Sequence, residues 1–289
     1  MRYCGTLASL PKSSRDAHAT RQTLNPGHAI ETIYMKIVSW NVNSLRVRLP
    51  QVLDWLATHQ PDLFALQEIK MVDAEFPTED IQAAGYQMLV SGQKSYNGVA
   101  ILSKIPGVDV VKDLLGLDDP QRRVLAATYG NTRLINLYVP NGESLESAKY
   151  PYKLGWLATL HTFLQNEAAQ HPRLVVVGDF NIAPEDRDVH DPVAWKDQVL
   201  CSEPERNAFQ GLLGLGLRDS FRLFEQPERI FSWWDYRAMA FRRNMGMRID
   251  HVLVSPAMAA TCTASYIDKA PRKLERPSDH APAVAEFTD

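Results

Sequence analysis

Residues 174–182 read LVVVGDFNI, the most strongly apolar run in the chain, and it passes straight into an acid and an amide. Leu174, Val175, Val176 and Val177 show no polar alternation and are rich in β-branched side chains, which fits a short strand buried on both faces. Gly178 removes side-chain bulk just before the polar end. In an extended segment residues i and i+2 share a face, so Asp179 and Asn181 are expected to emerge side by side. The same residues also suit a turn, because Gly, Asp and Asn are turn formers and Pro184 follows. A turn does not by itself require an acid and an amide on one face directly after a buried strand, and a functional role is favoured.

Other short apolar runs surround this one. Strands are expected at 36–41 (KIVSWN), 63–69, 99–102, 124–129, 133–139, 249–255 and 281–287. Leu49, Val52, Leu53 and Leu56 recur at helical spacing and stop before Pro61, and 152–167 reads as a second helix. Helices interrupt only some of the strand pairs, while others are joined by hairpin-length links. That alternation predicts an α/β fold of two mixed β-sheets packed face to face with helices outside, not a doubly wound parallel sheet.

The chain has 289 residues, 45% hydrophobic and 22% charged, which excludes a disordered, collagen-like or coiled-coil protein. Cys4, Cys201 and Cys262 are scattered and make neither a disulfide framework nor a zinc site, consistent with a reducing, cytoplasmic location. No apolar run approaches the roughly 20 residues of a membrane span, and no apolar stretch near the start marks the chain as secreted. Residues 1–34 lack an apolar period and carry four basic residues against two acidic ones. They are expected to be a flexible, disordered leader before one domain over 35–289, an organelle transit peptide being the alternative reading. The formal net charge is −3, so any binding of nucleic acid must use local patches.

Carboxylates at strand ends carry the chemistry. Glu68 lies in the apolar run 63–69, where an unpartnered charge would cost several kcal/mol, on the order of 3–5. It is either a structural partner of Lys70 or an arginine, or a metal ligand. Asp250 enters the run 249–255, and Asp279 and His280 precede Ala281 and Pro282. With Asn41, Asp179 and Asn181 these residues supply oxygen donors, one imidazole and no thiolate. That set suits Mg²⁺, with Mn²⁺ also accommodated, and does not suit zinc. No G-x-x-x-x-G-K-[ST] loop and no G-x-S-x-G elbow occurs. Water attack on a phosphodiester is the reaction these parts support.

Two basic stretches lie beside the acids. Residues 237–248 (RAMAFRRNMGMR) hold Arg237, Arg242, Arg243 and Arg248 without an acid, and 269–276 (KAPRKLER) hold four basic residues against Glu275. Phe231, Trp233, Trp234, Tyr236 and Phe241 interleave with the first. Arginines with aromatics suit a polyanionic backbone and stacked or wedged bases. A solvated charged loop over an aromatic cluster is the alternative.

Six ordered motifs then resemble the exonuclease III / AP endonuclease family, the DNA-repair branch of the Mg-dependent endonuclease/exonuclease/phosphatase superfamily. They are SWNVN at 39–43, LQEIK at 66–70, YVPNG at 138–142, GDFNIAP at 178–184, RID at 248–250 and SDHAP at 278–282. The stretch FSWWDYR at 231–237 points to the DNA-repair branch. The resemblance runs from about Met35 to the end and implies a DNase I-like, four-layered α/β sandwich. It implies a nuclease acting on double-stranded DNA as 3′–5′ exonuclease, 3′-end-cleaning phosphodiesterase and AP endonuclease, with abasic sites, nicks or 3′ ends as substrates. A monomer associated with the nucleoid, without membrane attachment, is expected.

Carried over by position, the resemblance gives Asn41 and Glu68 the metal, with Asp179, Asn181, Asp279 and His280 as further metal-side residues. Tyr138 would aim its phenol at the scissile phosphate, and Asn181 would stabilise the transition state. Asp250 would orient His280, and either Asp179 or His280 would act as the base. Trp233, Arg237, Arg242, Arg243, Met247 and Arg248 would meet DNA, Trp233 and Met247 as walls of the pocket for a flipped-out abasic sugar. Leu200 stands where the family usually places Gly or Ser, and is expected to narrow that pocket and weaken abasic-site cleavage. Phosphatases of inositol lipids and sphingomyelin-cleaving esterases share the metal motifs and form one alternative. A DNA-binding module without catalysis forms another.

Overall fold

The computed structural model describes residues 34–288 apart from 115. The leader expected over 1–34, and its disorder, therefore lie outside the described residues except for Tyr34, which opens the first strand. Twelve strands form two six-stranded mixed sheets. The first contains β1 (Tyr34–Asn41), β2 (Leu63–Gln67), β3 (Gln87–Ser91), β4 (Val99–Ser103), β11 (Cys262–Ile267) and β12 (Ala283–Thr288), in the order β11-β12-β1-β2-β4-β3. The second contains β5 (Val108–Lys112), β6 (Val124–Tyr129), β7 (Thr132–Tyr138), β8 (Leu174–Asp179), β9 (Arg218–Asp219) and β10 (Asp250–Val254), in the order β5-β6-β7-β8-β10-β9.

Side-chain alternation explains the layers. Ile37, Leu63, Ala65, Leu134, Val175, Val177, Val252 and Val254 face one another between the sheets. The intervening residues face outward. Val38, Trp40, Phe64 and Leu66 pack with the buried side of α1 (Leu45–His59). Ile135, Leu137, Leu174, Val176 and Leu253 pack under α3 (Lys149–Gln170) and α4 (Glu203–Gly214). The short helices α2 (Thr78–Ala83) and α5 (Pro256–Thr261) complete the set. Two helical layers thus enclose two sheets, as the sequence predicted, and residues 174–177 are buried on both faces.

The inner face changes character along its length. Continuing its period-two rows past the apolar residues leads to Asn41 on β1, Gln67 on β2, Tyr138 on β7 and Asp179 on β8, and back to Asp250 at the start of β10. β1 runs parallel to β2 with Asn41 opposite Gln67, and β7 runs parallel to β8 with Tyr138 opposite Asp179. β10 is antiparallel to β8 and sets Asp250 opposite Asp179. All five positions therefore reach the same rim.

The expected strand at 174–182 ends at Asp179, three residues early. Asn181 has φ 49°, and its N–H donates to Asp179 Oδ1 at 2.9 Å. The turn, not an extended i/i+2 relation, keeps the pair together. Gly178 is required by close approach, since a Cβ there would lie 2.0 Å from the Leu137 carbonyl oxygen.

Candidate active site

The rim gathers Glu68, Asp179 and His280, whose ligand atoms lie within 4.8 Å of one another. Each arrives by a different route. Glu68 follows β2 with φ 50°, so its side chain leaves the strand's alternation and turns over the rim. Asp179 is the last residue of β8 and is buried. His280 is fixed through its backbone: its carbonyl accepts from the Trp40 indole at 3.1 Å, and its N–H donates to Ser278 Oγ at 3.2 Å. Ser278 in turn donates to the Asn41 carbonyl at 2.7 Å.

Asn41 lies between two of the carboxylates. Its Nδ2 donates to Glu68 Oε1 at 2.8 Å and to Asp179 Oδ2 at 2.9 Å, while its Oδ1 accepts from the Asn43 N–H at 3.0 Å. Lys70 Nζ sits 2.8 Å from Glu68 Oε2. The two readings of Glu68 thus coexist, a partner for Lys70 and a member of a metal-capable cluster. Asp250 accepts from His280 Nδ1 at 2.9 Å, leaving His280 Nε2 3.7 Å from Asp179 Oδ2. Ser232 Oγ accepts from the N–H groups of Ile249 and Asp250, both at 3.0 Å, and so steadies this end of β10.

This clustering of carboxylates is paired with a match in sequence. Residues 38–280 fit the model of the Endonuclease/Exonuclease/phosphatase family. The chain belongs to that family. Within it, the chain is 39% identical over 267 residues to exodeoxyribonuclease III of Haemophilus influenzae, covering 88% of this chain and 100% of that protein. Among solved structures, a 3′ phosphatase from Neisseria bound to a product DNA hairpin is 51% identical, with a TM-score of 0.86 over 88% of this chain and 99% of that one. An AP endonuclease from Archaeoglobus fulgidus is 40% identical, with a TM-score of 0.85 over the same shares, 88% and 99%. The paired six-stranded sheets with outer helices are the DNase I-like fold expected from sequence.

Charge in this family member's site is divided unequally. Burial pushes the Asp179 carboxyl upward; His280 and the Asn41 amide pull the other way, and Asp250 and Glu68 push it further up. Burial disfavours the His280 imidazolium, yet Asp250 and Asp179 outweigh it and raise the pKa. Burial, then Glu68 and Asp179, keep the Tyr138 phenol protonated far into the alkaline range. The site therefore presents an imidazolium, a phenol and a carboxyl group poised above its ordinary range.

Other expected residues stand further from the cluster. Asn181 Oδ1 accepts from Asn141 Nδ2 and its Nδ2 donates to the Val139 carbonyl, both at 3.0 Å, so its side chain is engaged with the loop after β7. Asp279 Oδ1 accepts from Asn43 Nδ2 at 2.9 Å and its Oδ2 from Trp233 Nε1 at 3.1 Å. One oxygen thus anchors the loop after β1 and the other the aromatic loop, and Asp279 lies outside the 4.8 Å cluster.

On the DNA side two expectations are corrected. Arg248 is 1% exposed, with its guanidinium 2.7 Å from Asp188 and 2.8 Å from Asp219. Two buried acids hold it inside the protein, and it cannot reach a phosphate. Met247 is also fully buried, packed with Ala183, Val189, Leu200 and Ile249, and offers no surface to a ligand. Arg237, Arg242 and Arg243 are exposed, Arg237 beside Asp235, and Trp233 is half-buried. Leu200 lies against the same apolar group and has φ 75°, the left-handed region that favours glycine.

Sequence reasoning passed over one side of the site. A cavity of about 600 Å³ beginning at Tyr138 and Asn141 is lined by Tyr96, Arg123, Lys149 and Tyr152, among others. Arg123 stacks on the Tyr138 ring at 4.7 Å and donates to the Tyr138 carbonyl at 3.2 Å. The only available signal was adjacency to YVPNG, since these residues come from two separate loops and the first turn of α3.

Proposed function

We propose that the protein is a Mg²⁺-dependent DNA-repair nuclease that hydrolyses phosphodiesters at the 3′ ends, nicks and abasic sites of duplex DNA. The observation that carries this reading is the convergence of Glu68, Asp179 and the Asp250-backed His280 on one rim. The donor set fits a hard divalent cation: two carboxylates within reach of each other and no thiolate, with Cys201 buried in the Leu200 cluster. Glu68 and Asp179, with the Asn41 amide bridging their carboxylates, would hold Mg²⁺ or, in its place, Mn²⁺; bound there, it would stabilise charge on the phosphoryl oxygens. Asn181 and Asp279, though engaged elsewhere in this structure, are retained as further metal-side residues.

The remaining work falls to the protein. His280, held charged by Asp250, donates toward a phosphoryl oxygen. Tyr138, kept as a phenol, donates beside it. Asp179, its carboxyl raised, accepts the proton of the attacking water. Asn141 and Asn181 fix the wall facing these groups. Arg237, Arg242, Arg243 and Trp233 meet the DNA backbone and bases at the opposite border.

The Haemophilus exodeoxyribonuclease III and the Archaeoglobus AP endonuclease, matched along nearly their whole length, are nucleases by name, which speaks against the inositol-phosphate and sphingomyelin readings. No helix among the described residues is long and apolar enough to cross a membrane; a nucleoid-associated monomer in the cytoplasm completes the proposal. Duplexes with a recessed 3′ end, a blocked 3′ end or an abasic site, incubated with and without Mg²⁺, test it directly. Metal-dependent cleavage that Glu68→Ala abolishes is the expected result, and activity surviving that substitution removes Glu68 as the principal ligand.

A further inference from the structure

Lys153 on α3 and Glu205 on α4 form an ion pair whose side chains are both 0% exposed. The ammonium is shared. Lys153 Nζ also donates to the carbonyl of Asn141 at 3.0 Å and to that of Asn181 at 2.7 Å. Glu205 is equally committed, accepting from the N–H of Leu200 at 3.0 Å, the N–H of Ser202 at 3.1 Å and the Ser202 hydroxyl. One charge pair therefore ties together three loops: the one after β7 with Asn141, the one after β8 with Asn181, and the one before α4 with Leu200.

Packing around the pair is close. Gly142 has φ 92°, and a Cβ there would lie 3.1 Å from Lys153 Cδ, so the Asn141 loop rests directly on the lysine stem. Asn141 and Asn181 are also joined side chain to side chain at 3.0 Å. The two amides are thus fixed to each other at their tips and to one ammonium at their backbones.

Helix capping does not account for this. Ser202 and Glu205 form a capping box at the start of α4, a task that a neutral glutamine performs as well. Nor does stability, because a buried ion pair can commonly be replaced by uncharged residues without loss. What Lys153 supplies is a single donor to the backbone carbonyls of two adjoining loops, those of Asn141 and Asn181. We propose that the Lys153–Glu205 pair is a positioning device that sets Asn141 and Asn181 for the reacting phosphate, so that it governs the rate of hydrolysis and not the affinity for DNA. The proposal rests on the nuclease reading above.

Replacing both charges together, Lys153→Met with Glu205→Gln, leaves no buried charge unpaired and keeps an acceptor for the loop before α4. The thermal midpoint is expected to stay near that of the unaltered chain. On a duplex with a phosphorylated 3′ end, kcat should fall about 10²-fold, the cost of a misplacement near 1 Å, while KM is unchanged. Lys153→Gln with Glu205→Gln returns one amide donor and should recover part of kcat; should the Met variant not fold, this pair carries the same comparison. Tyr150→Phe, which removes only the 2.6 Å contact between Tyr150 and Ser202 at the edge of the network, should leave kcat intact. An unaltered kcat in the folded double variant, or a raised KM with kcat preserved, overturns the proposal. Failure of the unaltered chain to cleave any duplex would instead overturn the nuclease reading.

Discussion

Leu200 has a backbone conformation that costs a side-chain-bearing residue about 1–3 kcal/mol, and it keeps it because Glu205 and Ala183 hold its N–H and carbonyl. Its side chain fills space beside Trp233 that a glycine would open. Leu200→Gly relieves the strain and opens that space, and abasic-site cleavage is expected to rise about tenfold, worth ~1.4 kcal/mol, with 3′-end removal unchanged. Equal abasic-site activity in the two proteins would show that Leu200 does not gate the pocket. His280 offers a second test. Its pKa is raised, so the imidazolium persists through neutral pH and is lost only as pH climbs through that higher value. Asp250→Asn removes the nearer anion, and the alkaline limb of kcat/KM should move down by about 1–3 units. A limb that does not move would separate Asp250 from His280. At this scale the sequence was most informative, because Glu68, Asp179, Asp250 and His280 each interrupt or flank an apolar run. It misled at Arg248 and Met247: proximity to an acid along the chain cannot reveal that two further acids, Asp188 and Asp219, lie in wait inside the fold.

Among elements, the strands legible beforehand were those with both faces buried, where apolar runs are continuous. β5 is exposed at four of its five positions and β9 has only two residues, so neither left a periodic trace. The short helices α2 and α5 are six residues each, below the length at which helical spacing repeats itself. Beneath β9 and β10, Arg248, two residues before β10, joins Asp219 of β9 to Asp188. Arg248→Met would leave Asp219 buried without its cation and should cost about 3–5 kcal/mol of stability in urea unfolding. A loss below ~1 kcal/mol, the range of an exposed ion pair, would show that water reaches the cluster.

For the molecule as a whole, the decisive relation is that Glu68 follows a strand of one sheet while Tyr138, Asp179 and Asp250 belong to the other. A buried amide pair sets their spacing: Gln67 Nε2 donates to Asn136 Oδ1 at 2.7 Å, and Asn136 Nδ2 donates to the carbonyls of Leu66 at 3.0 Å and Ala100 at 2.9 Å. Asn136→Ala strands these groups, and should cost about 1–3 kcal/mol together with a fall in kcat as the sheets lose register. Retained kcat at reduced stability would place the control of spacing elsewhere. Nothing in the sequence marked Gln67 or Asn136 as partners, since the contact exists only once the sheets face each other. The order of strands adds one consequence. β1 lies between β2 and β12, with Tyr34 opposite Thr288. A copy emerging from the ribosome therefore carries its acidic residues for a long interval without the histidine or the neighbouring strand that completes them. A chain cut before residue 280 lacks both the histidine and β12 beside β1, and is expected to cleave no duplex.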